Sequence, residues 1–479
     1  MPIERALEIE KTPLWLEFVK VQTQCDQRGQ YVVEALFLLN DKGDTYAPLM
    51  VELWSIQRDY VGAFGDETTL VCSIPLGKYA FKIFPNRDHL RVTLIKRYLI
   101  ENTTKINPLI PPEDETFDAT LIEEGTSARE FQGKESKEEA ALDIQQIRSV
   151  KFQLNGATDK RIRRVSIGGI YREFTVKELL RTVITREIMG LKIDPKLKLS
   201  GMDVVEPGNT IRHEYLSIPQ GTKITDLAGF VQDRLGVYNA GLGSYIQGKW
   251  WYLFPLYDTK RFNKVKKTLT IVMLPKRKFP EIERTYRRNG DSAVVLTHSE
   301  ADFQFDNDIS YLNEGNGARY ADADRILEAG QFGKTGGNKL ILNRKENNNE
   351  FGSDYLQEKK TYAPVAQGRI SSNSFKYFSN LASRKGGLLR IHWLNSDPVL
   401  IEPGQVTRLI FSDRDMIREA YGTVLAVNHV TAKIGDMNTR KHATNSLLYL
   451  FVNLKERNEI TESPNSSVDF SAMMSLFSR

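Results

Sequence analysis

Short runs of Val, Ile, Leu and aromatic residues, bounded by turn residues, recur in two separate blocks of this chain. That recurrence limits the possible folds more than any other feature. In the first block, from Leu14 to Ile100, the runs read "LWLEFVKVQ", "YVVEALFLLN", "MVELWSIQRDYV", "ETTLVCSIPLG", "AFKIFP" and "LRVTLIKRYLI", with "NDKGD" and "PNRD" among the breaks. Runs of this length and composition predict strands, and a succession of them predicts an all-β domain, a barrel or a curled sheet. The pattern returns with "KTLTIVMLP" and again from Leu388 in "LLRIHWL", "VTRLIFSD", "GTVLAVNHVTAKI" and "SLLYLFVNLKE". The last two flank "GDMNTRKHATN", which reads as a long hairpin tip.

The blocks are separated by segments of other character. Residues 101–147 are strongly acidic and carry the prolines of "INPLIPPEDE", a composition that predicts a loop insertion or linker with one short helix, "SKEEAALDIQQI". In 174–260, "TVKELLRTVITREIM" opens at Thr175 with Glu178 three residues on, a capping box, and carries apolar residues at helical spacing. A second helix, "KITDLAGFVQDRLG", ends at Gly236, and "SYIQGKWWYLFPLYD" reads as two strands around Gln247-Gly248, with one of Trp250 and Trp251 in the core and its neighbour outside. Residues 174–260 therefore form a small α/β module. A polar stretch, 291–385, is too poor in apolar residues to hold much core, and the tail 456–479 ends in the spaced apolars Phe470, Met473, Met474, Leu476 and Phe477, a docking-peptide pattern.

Composition excludes several classes. With 479 residues the chain has room for two or more ordinary cores. Its cysteines, Cys25 and Cys72, form no CxxC motif, which argues against a disulfide framework and suits a reducing cytosol. The longest apolar runs, such as Ser446 to Leu454, are about half a bilayer span, and "MPIERALEIEK" mixes both charge signs where a secretory signal does not. A net charge of +5 and pI near 8.8 are mild for nucleic-acid binding. The basic stretch Lys260 to Arg288 and acidic 101–147 read first as solvated faces, and in a sharper reading as complementary contact with a neighbouring subunit or a charged channel wall.

Candidate chemical motifs fail on spacing. "EAGQFGKTGGNK", Glu328 to Lys339, contains Gly-Lys-Thr, but a phosphate loop needs glycine five residues before Gly333, where Glu328 stands. "HEYLS" at His213 lacks the second histidine of a zinc-protease helix, and "DNDIS" at Asp306 lacks the glycine and terminal acid of a calcium loop, with Tyr311 and Gly317 in those places. The six histidines form no local metal motif and no nucleophile elbow occurs. No catalytic, cofactor-binding or metal-binding residue is nominated, and no cofactor is expected.

One pattern in the final β block is specific. Pro403-Gly404 precedes a strand ending Ile410-Phe411-Ser412-Asp413; the next carries Val424-x-x-Val427-x-His429; after a polar turn comes Tyr449-Leu-Phe451-Val-Asn453. This run resembles the C-terminal part of the central baseplate hub protein of contractile-tailed bacteriophages, over roughly fifty residues in detail and elsewhere by element order. The resemblance implies a mainly β fold with two tail-tube-like barrels: one over 13–100 with 148–172, the other over 262–290 with 386–455. It further implies a homotrimer whose six barrels match a three-fold tail spike to six-fold tail tube proteins around a channel for the tape-measure protein and DNA. Baseplate wedge proteins would meet the outer modules. The chain is then a structural virion protein, assembled in the host cytoplasm and not an enzyme, with another tail or injection-machine component as the alternative and a cell-wall hydrolase in 291–385 as a more distant one. The matched residues Pro403, Gly404, Phe411, Val427, His429, Tyr449 and Phe451 read as core and turn positions, with His429 a satisfied strand histidine.

Overall fold

A computed structural model describes residues 13–23, 30–39, 43–100, 103–122, 147–193, 198–298, 302–304, 382–383, 386–413, 416–435, 441–453 and 458–459. The order is helix α1 (Pro13–Thr23), strands β1 (Tyr31–Leu38), β2 (Thr45–Tyr46), β3 (Met50–Asp59), β4 (Glu67–Pro75), β5 (Arg91–Tyr98), β6 (Glu113–Leu121) and β7 (Ile147–Gly156). A middle segment follows: α2 (Ala157–Ile162), β8 (Ser166–Thr175), α3 (Val176–Gly190), β9 (Gly201–Val204), β10 (Arg212–Lys223), α4 (Leu227–Arg234), β11 (Leu242–Gln247) and β12 (Trp250–Pro255). The last block holds β13 (Thr268–Met273), β14 (Tyr286–Asn289), β15 (Ser292–Thr297), β16 (Asp302–Gln304), β17 (Gly387–Trp393), β18 (Val406–Asp413), β19 (Met416–Ile434), β20 (Lys441–Val452) and β21 (Asn458–Glu459).

The chain is mainly β, and its strands form two barrel-like groups. In the first, neighbours run β3-β4-β7-β6-β5-β1, all antiparallel. Burial alternates strictly along β5, where Val92, Leu94, Lys96 and Tyr98 face inward, as expected for a strand with one wet face. Phe37 and Phe152, both fully buried, meet in this core with ring centroids 4.9 Å apart. Burying each such ring contributes roughly 1.5–3 kcal/mol. In the second group β14-β15-β13-β18-β19-β20-β17-β16 are neighbours, with β13 parallel to both β15 and β18. Its seam between β15 and β17 is tied by Thr297 Oγ1 donating to His392 O at 2.7 Å.

The α/β module has its own core, in which Val176, Leu180, Ile184, Val231 and Trp251 are fully buried. The Thr175–Glu178 capping box forms as expected, Gly236 stands at positive φ after α4, and Trp250 is exposed where Trp251 is buried.

Five expectations need correction. "LWLEFVKVQ" is helical rather than a strand of the first barrel: Leu14, Phe18 and Val21 recur at helical spacing and pack on Val272, Leu274 and Phe279 of the second group. Residues 76–86, including "AFKIFP", form helical turns, because Tyr79 to Ile83 continue the turn started at Leu76. Acidic 101–147 is not wholly an insertion, since Glu113–Leu121 is β6, with Phe117 and Ala119 inward, Asp114 and Asp118 on the outer face, and Glu113 opposite the inward-facing Lys96. Ser166–Arg172, assigned to the first barrel, pairs with β10 and so belongs to the α/β module. Polar 291–385 begins with β15, whose Ala293 and Val295 join the core of the second group while Leu296, on the other face, packs in the cluster with α1. The "SKEEAALDIQQI" helix, the Gly-Lys-Thr loop and the apolar tail end lie outside the described residues.

Candidate functional site

The two barrels share a wall, and its construction starts from one long hairpin. β19 spans 19 residues and β20 twelve, far longer than neighbouring strands, and they pair from Gly422 to Ile434. The first part of β19, Met416 to Thr423, pairs with β18 of the second barrel; the later part, Ala426 to Ala432, pairs with β3 of the first. β20 does the same on its other edge, meeting β17 along Ser446 to Val452 and β1 through His442 opposite Tyr31. The change of partner coincides with a bulge. Leu425 is the extra residue between Val424 and Ala426, and its carbonyl accepts from the Tyr60 amide at 2.9 Å. A bulge bends a strand and raises its twist, which lets one strand serve two differently oriented sheets.

Where the hairpin crosses into the first barrel, its inward face turns polar. His429, Thr431, His442, Thr444 and Ser446 are all at most 3% exposed. Buried polar groups at this density must be paired, and they are. Thr431 and Thr444 hydroxyls lie 2.7 Å apart, the Tyr31 hydroxyl bonds Thr444, and Ser396 bonds Ser446. Lys96 reaches the same seam, its ammonium 4.4 Å from the Tyr31 ring and 4.7 Å from that of Tyr98, with Glu113 at 3.7 Å.

The strongest charges stand where hairpin, first barrel and α/β module meet. Arg58 Nε donates to Asp66 Oδ2 at 3.1 Å, and Tyr245 OH donates to the other carboxylate oxygen at 2.9 Å. Arg58 Nη1 also donates to Pro398 O and to His429 Nε2, at 3.1 and 3.3 Å. Burial disfavours the Arg58 charge, but Asp66 and the adjacent Tyr60 and Tyr245 outweigh it and hold the guanidinium above its ordinary pKa. Burial, then Asp66, push the Tyr245 hydroxyl up, so it stays a donor. Tyr60 and Tyr245 stack edge to face at 4.8 Å, and Gln247 ties Tyr60 OH to Ile401 O. Asp159, at the start of α2, is half-buried beside Gly65 and Gly156; burial, then Asp66, push its carboxyl up to about 7.

Both hairpin histidines have both ring nitrogens hydrogen-bonded, three of the four to the first barrel and one, His429 Nδ1, within the hairpin. Arg58 can only donate, so His429 Nε2 accepts, leaving Nδ1–H to donate to Ser446 Oγ at 2.6 Å. The Val33 amide donates to His442 Nδ1 at 3.3 Å, leaving Nε2–H to donate to Val51 O at 2.9 Å. His442 thus bridges β1 and β3 across a groove of about 280 Å³ between them, lined by Ala35, Leu36, Leu49 and Met50.

The residues singled out in the sequence fall on this wall or beside it. Val427 is fully buried, Val424, His429 and Phe451 nearly so, while Phe411 and Tyr449 are half-buried. Pro403 and Gly404 form the centre of a turn that Gln405 N closes onto Glu402 O at 3.2 Å. Gly404 has φ +70°, the left-handed value the third turn position demands after proline. Arg58, Asp66, Tyr245 and His442 gave no local motif. The available signal was the alternation of polar residues at Thr431, Thr444 and Ser446 on strands otherwise built from Val and Leu. The arrangement binds elements together rather than presenting a reactive group to solvent. Among the described residues no cluster of three or more His, Cys, Asp or Glu is placed to hold a metal ion, and no helix is long and apolar enough to cross a membrane.

No family model matches the chain, and no curated protein matches it. Solved structures do. The 43 kDa tail protein of prophage MuSo2 from Shewanella oneidensis aligns over 87% of this chain and 98% of its own, with 9% identity and a TM-score of 0.41. An E. coli component of the type VI secretion system, described as structurally similar to the bacteriophage T4 tail proteins gp27 and gp5, aligns over 88% of this chain and 79% of its own, with 6% identity and a TM-score of 0.38.

Proposed function

We propose that this chain is a structural component of a phage tail baseplate, the central hub, which works as a homotrimer. The observation that carries the reading is the shared hairpin: one chain holds two barrels in a fixed relation. Three such chains in a closed ring present six barrels, which converts a three-fold platform for a spike into a six-fold platform for tail tube proteins. The resemblance of residues 403–453 to the hub family points the same way. In this reading the ring surrounds the path of tape-measure protein and DNA, and wedge proteins meet the α/β module. The chemistry at the barrel junction is cohesive, in keeping with a protein that assembles rather than catalyses.

Light scattering on the purified chain tests it. Three copies of the 54.7 kDa chain give about 164 kDa. That mass supports the ring; a strict monomer at high concentration, with no co-purification on a spike protein, would remove the hub from consideration.

A further inference from the structure

We propose that the attachment of the shared hairpin to the first barrel is a proton-sensitive latch: protonating His429 and His442 frees β1 and β3 from the hairpin while the second barrel stays closed. The inference rests on hydrogen-bond direction and does not depend on the hub reading.

Each histidine accepts from a group that has nothing but hydrogens to offer. The Arg58 guanidinium faces His429 Nε2, and the Val33 amide faces His442 Nδ1. An imidazolium has two N–H donors and no acceptor, so a second proton on either ring sets donor against donor and breaks that bond. The other ring nitrogens gain nothing from the added proton, because His442 Nε2–H and His429 Nδ1–H already donate to Val51 O and Ser446 Oγ.

The surroundings of His429 oppose the added charge. Facing His429 are Arg58 from β3, with Asp66 behind it, and Tyr245 from β11. Around His442 stand Tyr31 and Glu34 from β1, Lys96 over the Tyr31 ring, and Lys433 opposite in register on β19; Glu34 is bound by Arg97, and Glu52 of β3 accepts from Ser73 and Ser149. Both rings are 1% exposed, and burial, then Arg58, hold His429 well below the ordinary histidine range. The hydrogen bonds from Arg58 and Val33 thus need an acceptor nitrogen on each ring, and burial reinforces this for His429, while an unperturbed histidine takes up its proton near pH 6.5. Stability of the attachment is therefore complete above about pH 6.5 and lost as pH falls below it. Asp159 acts in the opposite sense, since its raised pKa lets it take up a proton in the fold as pH falls, so it cannot supply an acid-induced opening.

The consequence is local. Beyond β19 and β20 themselves, the described strands of the second barrel depend on neither histidine, and the seam between β15 and β17 is held by Thr297. In the first barrel, by contrast, β1 meets the hairpin at a single register pair, Tyr31 with His442, and β3 meets it over the seven pairs from Ala426–Asp59 to Ala432–Leu53, with His429 in the middle of that run.

Hydrogen–deuterium exchange of the full chain at pH 7.5 and pH 5.0, corrected for intrinsic exchange, reads the latch directly. Opening of β1 and β3 is expected to rise about 30-fold at pH 5.0 from His429 alone, the factor for 1.5 pH units below 6.5 when the folded ring stays neutral, with β13 and β15 unchanged. A glutamine amide both accepts and donates but does not titrate, so the His429→Gln/His442→Gln variant should keep β1 and β3 protected at both pH values. Unchanged protection of β1 and β3 in the wild type, equal loss in β13 and β15, or a glutamine variant that opens as the wild type does would each overturn the proposal. Should the variant not fold, the wild-type contrast between β1/β3 and β13/β15 decides alone.

Discussion

Gly404→Ala is the most exacting test of the second barrel's packing, because two separate costs are fixed by its position. At φ +70° an alanine adopts the left-handed region at a cost of about 1–2 kcal/mol. Its Cβ would also lie 2.4 Å from Phe254 Cγ, 2.5 Å from Cδ2 and 2.6 Å from Cβ. Phe254 is 2% exposed and anchored at its own Cβ, so it cannot swing clear and the core must shift. Overpacking of this kind costs about 1–3 kcal/mol. The sum is about 2–5 kcal/mol. The test is urea unfolding at one fixed protein concentration, followed by fluorescence of the buried Trp251 and Trp393. Repeating it in a Phe254→Ala background removes the ring contacts but leaves the Cβ contact at 2.6 Å, so the penalty should fall while staying above the backbone part of about 1–2 kcal/mol. A Gly404→Ala penalty below about 0.5 kcal/mol, or one equal in both backgrounds, would refute the steric reasoning.

Asp66→Asn keeps the acceptor for Tyr245 but strands the Arg58 charge; the chain should lose about 2–4 kcal/mol, somewhat less than the roughly 3–5 of a fully buried pair because Asp66 is 22% exposed, and the loss should show in the same urea transition. Asp159→Asn should change the pH profile of melting. With a folded pKa raised to about 7, Asp159 makes the wild type lose stability as pH rises from about 4 to 7, whereas asparagine does not titrate, so the variant should gain on the wild type through that range and the two melting curves run parallel above 7. If charged faces contribute to the trimer, with Lys276, Arg277 and Lys278 exposed on the second barrel, its mass should fall toward 54.7 kDa as salt rises and the screening length drops below about 8 Å; a salt-independent mass would leave apolar contact as the source of assembly.

Strand content and the α/β module were legible in the sequence because their signals are local. The Thr175–Glu178 pair, Gly236, and the alternation through "WWYLF" each determine their own neighbourhood. Elements were misread where a local signal had two meanings. "LWLEFVKVQ" carries β-branched and aromatic residues yet also repeats at helical spacing, and only its packing on Phe279 decides between them. β6 was hidden by its carboxylates, of which Asp114 and Asp118 lie on the outer face while Glu113 pairs with the buried Lys96. The junction was illegible for a different reason. Arg58 lies 371 residues from His429, and Asp66 lies 179 from Tyr245. No periodicity spans such gaps. What the sequence did supply was His429 as a satisfied strand histidine, and it is one, though its partner is an arginine from the other barrel.

The shared hairpin also sets a timetable. Strands β1 to β7 are complete when Gly156 leaves the ribosome, yet the residue that bridges β1 and β3 is His442. At 5–20 residues per second the wait is on the order of 15–60 s, during which the edges of β1 and β3 have no hairpin to cover them. A first barrel made without its distant wall is a template for unwanted strand pairing. Truncations before residue 442 should therefore aggregate rather than yield half a molecule, and a cell producing this chain has reason to keep a holdase close to the nascent first barrel.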